Sequence, residues 1–312
     1  MSDRTPISVA IAAIKQLRPK QWIKNGLLYA ALIFSGKFVD DFDAFVAATI
    51  GFAAFCMISS SGYVFNDIVD READRKHPKK KFRPIASGAL PVPLALVLAV
   101  VLLISGLGVA WSLSLSFAIV AFSYLATTMS YSFYLKNLVI FDVMFLSSGF
   151  VWRAIAGAVA IGVTISLWLF LVTAFFALFI GFNKRYAELK QLGSQAQTRK
   201  NLAEYSLPMI EKFQSVVTAN VVLCYALYTV LGPNPWMVVT VPVALYVIFR
   251  YIYLVEKGGG GAPVETLVKD PPLLVSVVVY GVLCVGVMWL HFEVEGLLPN
   301  ILPEHPLPGS PS

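Results

Sequence analysis

The chain has 312 residues, 58% of them hydrophobic and only 13% charged, with 24 Lys and Arg against 18 Asp and Glu for a formal net charge of +6. Soluble domains carry about a quarter charged residues, so this composition excludes a freely soluble enzyme and points to a lipid environment. Cys56, Cys224 and Cys284 all lie inside apolar runs without metal-ligand spacing, which leaves them as small core residues rather than a disulfide framework or a zinc centre.

The N-terminal stretch is charged through Lys24 and has no small-residue cleavage pattern, unlike a removable signal peptide. Residues 1–22 are expected to stay at the membrane surface, with 7–17 forming an amphipathic helix on the inner leaflet. Apolar runs long enough to cross a hydrocarbon core of about 30 Å as helix follow at 23–39, 42–65, 91–111, 114–134, 138–161, 165–182, 209–231, 235–254 and 272–291. The expected fold is therefore all-α, a polytopic membrane protein of nine transmembrane helices forming one domain over 1–312. Of the 24 Lys and Arg, 22 fall on one side of this pattern; Lys37 lies opposite and Arg153 lies within a span. That asymmetry puts the N-terminus and the polar loops 66–90, 183–208 and 255–271 in the cytoplasm, and the acidic, Pro-rich tail 292–312 outside. The same asymmetry accounts for the net charge, so no nucleic-acid partner is needed. The third loop contains Gly258 to Gly261, a linker or a flap, then Asp270-Pro271-Pro272, which suits a helix start.

The most specific feature ends the second span: Asn66-Asp67-Ile68-Val69-Asp70-Arg71-Glu72-Ala73-Asp74. If the helix continues, Asn66, Asp70, Asp74 and Asp67 project at about 0, 40, 80 and 100 degrees around its axis. Three carboxylates and an amide on one face repel unless a hard cation lies between them, and magnesium takes oxygen ligands together with waters and substrate phosphates. Asn66, Asp67, Asp70 and Asp74 are thus the expected metal-binding and catalytic residues, with manganese an acceptable substitute.

A basic run, 75–83, follows. Its charges serve topology and lipid headgroups, and only Arg83, before the rigid Pro84, is singled out for phosphate. Further cations stand at span ends facing the same cavity: Lys24; Lys136, in the string that opens at Tyr131; and Lys184 with Arg185, ahead of Glu188. Asp142 and Arg153 lie within the fifth span, where ionisable groups default to function. Eleven residues separate them by about 16 Å along a helix, too far to pair directly. Asp142 is near enough to the cytoplasm to join the acidic cluster.

These strings resemble the UbiA superfamily of intramembrane prenyltransferases over essentially the whole chain: nine spans, NDxxDxxxD after the second, and a polar loop after the sixth. RPKQWIKN, NDIVDREADRKHPKKKFRPIASG, YSFYLKN and GFNKRYAEL are most similar to the decaprenyl-phosphate phosphoribosyltransferases of mycobacteria and relatives within it. The resemblance implies a helical bundle around a central cavity open to the cytoplasm, in a bacterial cell membrane. It implies magnesium-dependent transfer of 5-phosphoribosyl from 5-phosphoribosyl 1-diphosphate to a polyprenyl phosphate, a step toward cell-wall arabinan. Where aromatic prenyltransferases of the superfamily carry a second Asp-rich motif, this chain has Asn183-Lys184-Arg185-Tyr186-Ala187-Glu188-Leu189-Lys190. Its cations, with Arg83, suit the donor's extra 5-phosphate. The lipid phosphate is expected near Lys24, Lys136 or Arg153, with Tyr131, Asp142 and Glu188 completing the substrate site. Prenyl transfer to an aromatic acceptor, with Asp142 or Glu188 as base, and a transporter using Asp142 and Arg153 are the alternatives. A homo-oligomer is compatible with all three.

Overall fold

The computed structural model describes residues 6–293 apart from 79, 165, 193–201, 203, 233, 260 and 262. Every regular element among them is helical. Most of the expected tail and part of the 183–208 loop lie outside the described residues.

Among the described residues, eight stretches are long and apolar enough to cross a membrane. Seven are the single helices α3 (Phe42–Val69), α5 (Val92–Leu113), α6 (Leu115–Phe133), α7 (Phe141–Ala160), α8 (Leu167–Leu192), α9 (Leu207–Leu231) and α12 (Pro271–Glu293). The eighth is a 3₁₀ turn, Pro235–Thr240, running into α10 (Val241–Glu256). Short elements complete the chain: α1 (Pro6–Gln16), α2 (Leu28–Phe34), α4 (Arg71–Lys76) and α11 (Pro263–Lys269).

The expected first span is the exception. It consists of a nine-residue 3₁₀ segment, Pro19–Leu27, followed by the seven-residue α2. A 3₁₀ helix rises about 2.0 Å per residue against 1.5 Å for an α-helix, so the pair reaches about 28 Å with only 16 residues. Runs of 3₁₀ beyond four residues are uncommon. This one is held from the side: Trp22 Nε1 donates to Ser60 Oγ at 3.0 Å, and Asn25 Nδ2 to Cys56 Sγ at 3.2 Å and Ser59 Oγ at 3.3 Å.

Local chemistry sets the helix starts. Asp41, Ser114, Ser206 and Asp270 each accept a backbone N–H three residues on, from Ala44, Phe117, Met209 and Leu273 at 2.8, 3.0, 3.3 and 2.9 Å, which satisfies one orphan donor of the first turn. At the other end of α7, Lys37 Nζ donates to the Ile161 carbonyl at 3.2 Å.

Successive crossings pack on one another, and α12 closes the ring against α2. One apolar core joins α2, α3, α6 and α7; another joins α8, α9, α10 and α12. Gly157 of α7 lets α2 approach closely, since a Cβ there would stand 2.2 Å from the Leu28 carbonyl oxygen. Small residues do this in membrane bundles, where close backbone packing replaces the hydrophobic effect. Between the cores lies an apolar cavity of about 760 Å³, lined among others by Ala30, Phe34, Phe150, Ala154, Tyr225 and Tyr280. The outer surface carries exposed Val101, Ile104, Ile119, Phe122 and Val282, the lipid-facing complement of that interior.

Candidate active site

The acidic motif sits where α3 ends. The expected unbroken helix bends there: α3 stops at Val69, Asp70 takes φ −82° and ψ 3°, and α4 starts at Arg71. Backbone bonds from Asp70 N to Asn66 O and from Asp74 N to Asp70 O carry the chain across the bend, so the four polar side chains remain together. The protein's own cations stand between the carboxylates and divide the motif into two sides.

On the first side Asp67, 2% exposed, accepts from Gln16 Nε2 at 2.7 Å, from Arg18 NH2 at 2.8 and 2.7 Å, and from Arg83 NH1 at 2.9 Å. The same Arg83 nitrogen donates to Asp74 Oδ2 at 2.6 Å. Arg18 reaches Asp67 from a left-handed backbone conformation, φ 54°, and its guanidinium lies over the Tyr63 ring. On the second side Asp70 is partly exposed and accepts from Lys136 Nζ and Asn66 Nδ2, both at 3.2 Å. Asn66 thus turns its amide oxygen away from this bond.

Among the described residues no three His, Cys, Asp or Glu side chains form a ready-made metal cluster. Magnesium does not need one, because it is held by one or two carboxylates together with substrate phosphates and water. The half-open Asp70 and the Asn66 amide oxygen are hard donors of that kind. Asp67, enclosed by three donors, is not placed for it.

Asp142 does not join the acidic cluster. Fully buried at the start of α7, it pairs with Arg185 Nε at 2.7 Å and accepts from the Tyr205 hydroxyl at 2.8 Å. Arg185 also binds Glu188, and its NH2 lies 3.5 Å from the Tyr131 hydroxyl. At 4% exposure the Arg185 guanidinium lies among Asp142, Glu188 and Tyr131. Tyr205 in turn accepts from the Ile140 N–H at 2.7 Å. Ile140 has φ 69° and ψ −50°, and Phe141 N donates to Val139 O at 2.8 Å around it, a strained γ-turn. Burial first, and then the bond to Asp142, push the Tyr205 hydroxyl above its ordinary pKa, so it stays a proton donor to that carboxylate.

Arg153 is buried without a carboxylate. Its Nε donates to Asn25 Oδ1 at 2.7 Å, NH1 to the Gly149 carbonyl at 2.6 Å and NH2 to the Tyr124 hydroxyl at 2.9 Å, with the Tyr124 ring 4.7 Å away. It therefore clamps the 3₁₀ segment to α6 and α7. Next to Asn25 in the chain, Lys24 lines the apolar cavity and has no hydrogen bond or ion pair among the described residues. Arg18, Arg153 and Lys184 all bear on it electrostatically, while Lys184 itself lies 4.0 Å from Glu188.

Gln16, Arg18, Asn25, Tyr124 and Tyr205 complete the arrangement although sequence reasoning did not single them out. Arg18 and Asn25 stand inside the RPKQWIKN string, which was a usable signal; Tyr205 lies in a polar stretch that offers none.

Similarity to known proteins extends over most of the chain. The sequence profile described as the UbiA prenyltransferase family matches residues 26–269. The decaprenyl-phosphate phosphoribosyltransferase of Mycolicibacterium smegmatis is 37% identical over 282 residues, 85% of this chain and 88% of that one. Its counterpart in Corynebacterium glutamicum is 37% identical over 280 residues, covering 86% and 84%, and that of Mycobacterium tuberculosis 35% over 272, covering 85% and 90%. A UbiA homolog from Archaeoglobus fulgidus, solved with GPP and Mg2+, superposes with a TM-score of 0.71 at 17% identity, over 89% of this chain and 99% of that one. The chain belongs to the UbiA prenyltransferase family.

Proposed function

We propose that the protein transfers the 5-phosphoribosyl group of 5-phosphoribosyl 1-diphosphate to a polyprenyl phosphate. The bond from the anomeric carbon to the diphosphate breaks, a bond from that carbon to an oxygen of the lipid phosphate forms, and diphosphate leaves. The single observation carrying this reading is Lys24, a partly buried cation that lines the apolar cavity and has no counter-charge among the described residues. A buried charge without a partner is costly, and a phosphate on an apolar chain supplies both the anion and the filling for the cavity. The similarity to three phosphoribosyltransferases over most of the chain supports the donor.

The donor's diphosphate docks at Asn66 and Asp70, with Lys136 alongside. A magnesium ion bound there, on Asp70 and the Asn66 amide oxygen, would neutralise charge developing on the leaving diphosphate. Asp67 and Asp74 hold Arg83 and Arg18 at the rim of the site, and Lys184, 4.0 Å from Glu188, is the residue assigned to the 5-phosphate. The acceptor is a phosphate monoester with a second pKa of about 6, so it attacks as an anion and needs no base. That agrees with Asp142 being tied to Arg185 rather than free to take a proton. Catalysis is by positioning two anionic substrates in line, and in-line attack inverts the anomeric carbon. The concentration of Lys and Arg at this end supports a cytoplasmic site, and the similarity to bacterial proteins over most of the chain supports a bacterial cell membrane.

Purified protein with radiolabelled donor, polyprenyl phosphate and magnesium should place label in the lipid extract, and EDTA or Asp70→Ala should abolish it. No label, from protein that a prenyl diphosphate still protects against heat, would move the assignment to prenyl transfer.

A further inference from the structure

A second cavity, of about 380 Å³, opens between the C-terminal end of α1 and the turn after α4. Its lining includes Lys15, Arg18 and Arg83 against the single carboxylate of Asp67, together with Gln16 and Phe82. Each arginine commits only one terminal nitrogen to a carboxylate, and a guanidinium carries five N–H donors. Lys15 has no side-chain partner among the described residues. The proposed reaction uses none of Lys15, Gln16 or Phe82.

The surroundings are apolar in an unusual place. Along α1, Val9, Ala12 and Ala13 turn inward onto Val64, Ile68 and Ile85. Ile7, Ile11 and Ile14, spaced four and three residues apart, face outward at 73, 60 and 60% exposure, and Phe82 beside the cavity is 68% exposed. Such a stripe is the signature of a helix lying in a membrane interface. Continuity fixes its depth, since two residues after α1 the chain enters the 3₁₀ segment of the first crossing. A soluble phosphate would satisfy the cations without using the neighbouring isoleucines. An amphiphile satisfies both.

We propose that this cavity is a headgroup site for an anionic phospholipid of the leaflet beside the acidic motif, with its phosphate on Lys15, Arg18 and Arg83 and its chains along Ile11, Ile14 and Phe82. Arg18 and Arg83 also hold Asp67, so an occupied site stiffens the support of the catalytic motif, which couples the protein to the charge of its membrane.

The test needs no turnover and is independent of the phosphoribosyl assignment. Thermal melting of the full chain in detergent is followed while phosphatidylglycerol, phosphatidylcholine or inorganic phosphate is added. Phosphatidylglycerol should raise Tm and phosphatidylcholine should not. Lys15→Gln should raise the half-saturating phosphatidylglycerol concentration about fivefold, the effect of one lysine at an anionic surface, and Ile11→Ser with Ile14→Ser should weaken the response without removing the protein from the micelle. Equal stabilisation by phosphatidylcholine, or an unchanged phosphatidylglycerol response in both variants, would overturn the site. A Lys15-dependent rise with inorganic phosphate would overturn the lipid assignment in favour of a soluble phosphate.

Discussion

At the scale of single residues, the aspartates of one motif do different work. Asp67 is enclosed by Gln16, Arg18 and Arg83, whereas Asp70 is partly open and shares its carboxylate with Lys136 and Asn66. Asp67→Ala leaves buried donors without an anion and should lower stability by roughly 3 kcal/mol as well as activity; Asp70→Ala should abolish transfer with Tm within a degree or two of the parent. Melting curves beside the labelling assay separate the two. Lys24→Met should fold normally and lower kcat/KM for the lipid phosphate about 10- to 100-fold, the worth of a hydrogen bond to a charged group, while leaving donor binding intact. A sequence shows that three carboxylates share a face because helical periodicity is local. It does not show which cation each one meets, because Arg18 and Lys136 arrive from 49 and 66 residues away. Arg185 illustrates the limit: its ion pair with Asp142, on another helix, is not readable from the sequence.

At the scale of elements, the start of the last helix was written in the chain. Asp270 ahead of two prolines caps α12 through Leu273 and also pairs with Arg250 at 2.8 Å. The bond from Arg250 holds its carboxyl below the ordinary range. A depressed acid stabilises the fold above its unfolded pKa and loses that contribution as pH falls through the lowered folded value. Asp270→Asn, which keeps an acceptor for Leu273 but gives up the ion pair, should therefore flatten the acid side of a Tm-against-pH curve. Gly157 of α7 admits the backbone of α2. Gly157→Ala would press a methyl against the Leu28 backbone and should cost roughly 3 kcal/mol, the upper end for overpacking, measured by urea or thermal unfolding in micelles. The 3₁₀ segment was not legible. Nothing in Pro19–Leu27 forbids an α-helix after its first turn; the geometry is imposed from outside by Ser60, Ser59 and Arg153.

At the scale of the whole molecule, the apolar runs and the one-sided charge reveal a membrane bundle because lipid imposes length and polarity on every crossing. The cavity was not legible in this way, since the residues around it are as apolar as those facing lipid. Ala154→Phe, which fills its wall, should leave heat protection by the donor and magnesium unchanged while turnover with a long polyprenyl phosphate is lost; equal loss of both would place the lipid elsewhere. The broken first crossing joins these two regions end to end. Nine residues wound three to a turn are about 4.5 Å longer than the same residues as α-helix, so relaxing Pro19–Leu27 to α geometry is a piston stroke close to the width of a phosphate group. Three residues per turn also stacks Trp22, Asn25 and Leu28 in one column against the bundle and Gln21, Lys24 and Leu27 in the next. A change of winding would slide Lys24 along the axis and rotate it out of its column in a single motion, and spin labels on either side of the segment would read that travel as a change in distance when the lipid phosphate is added.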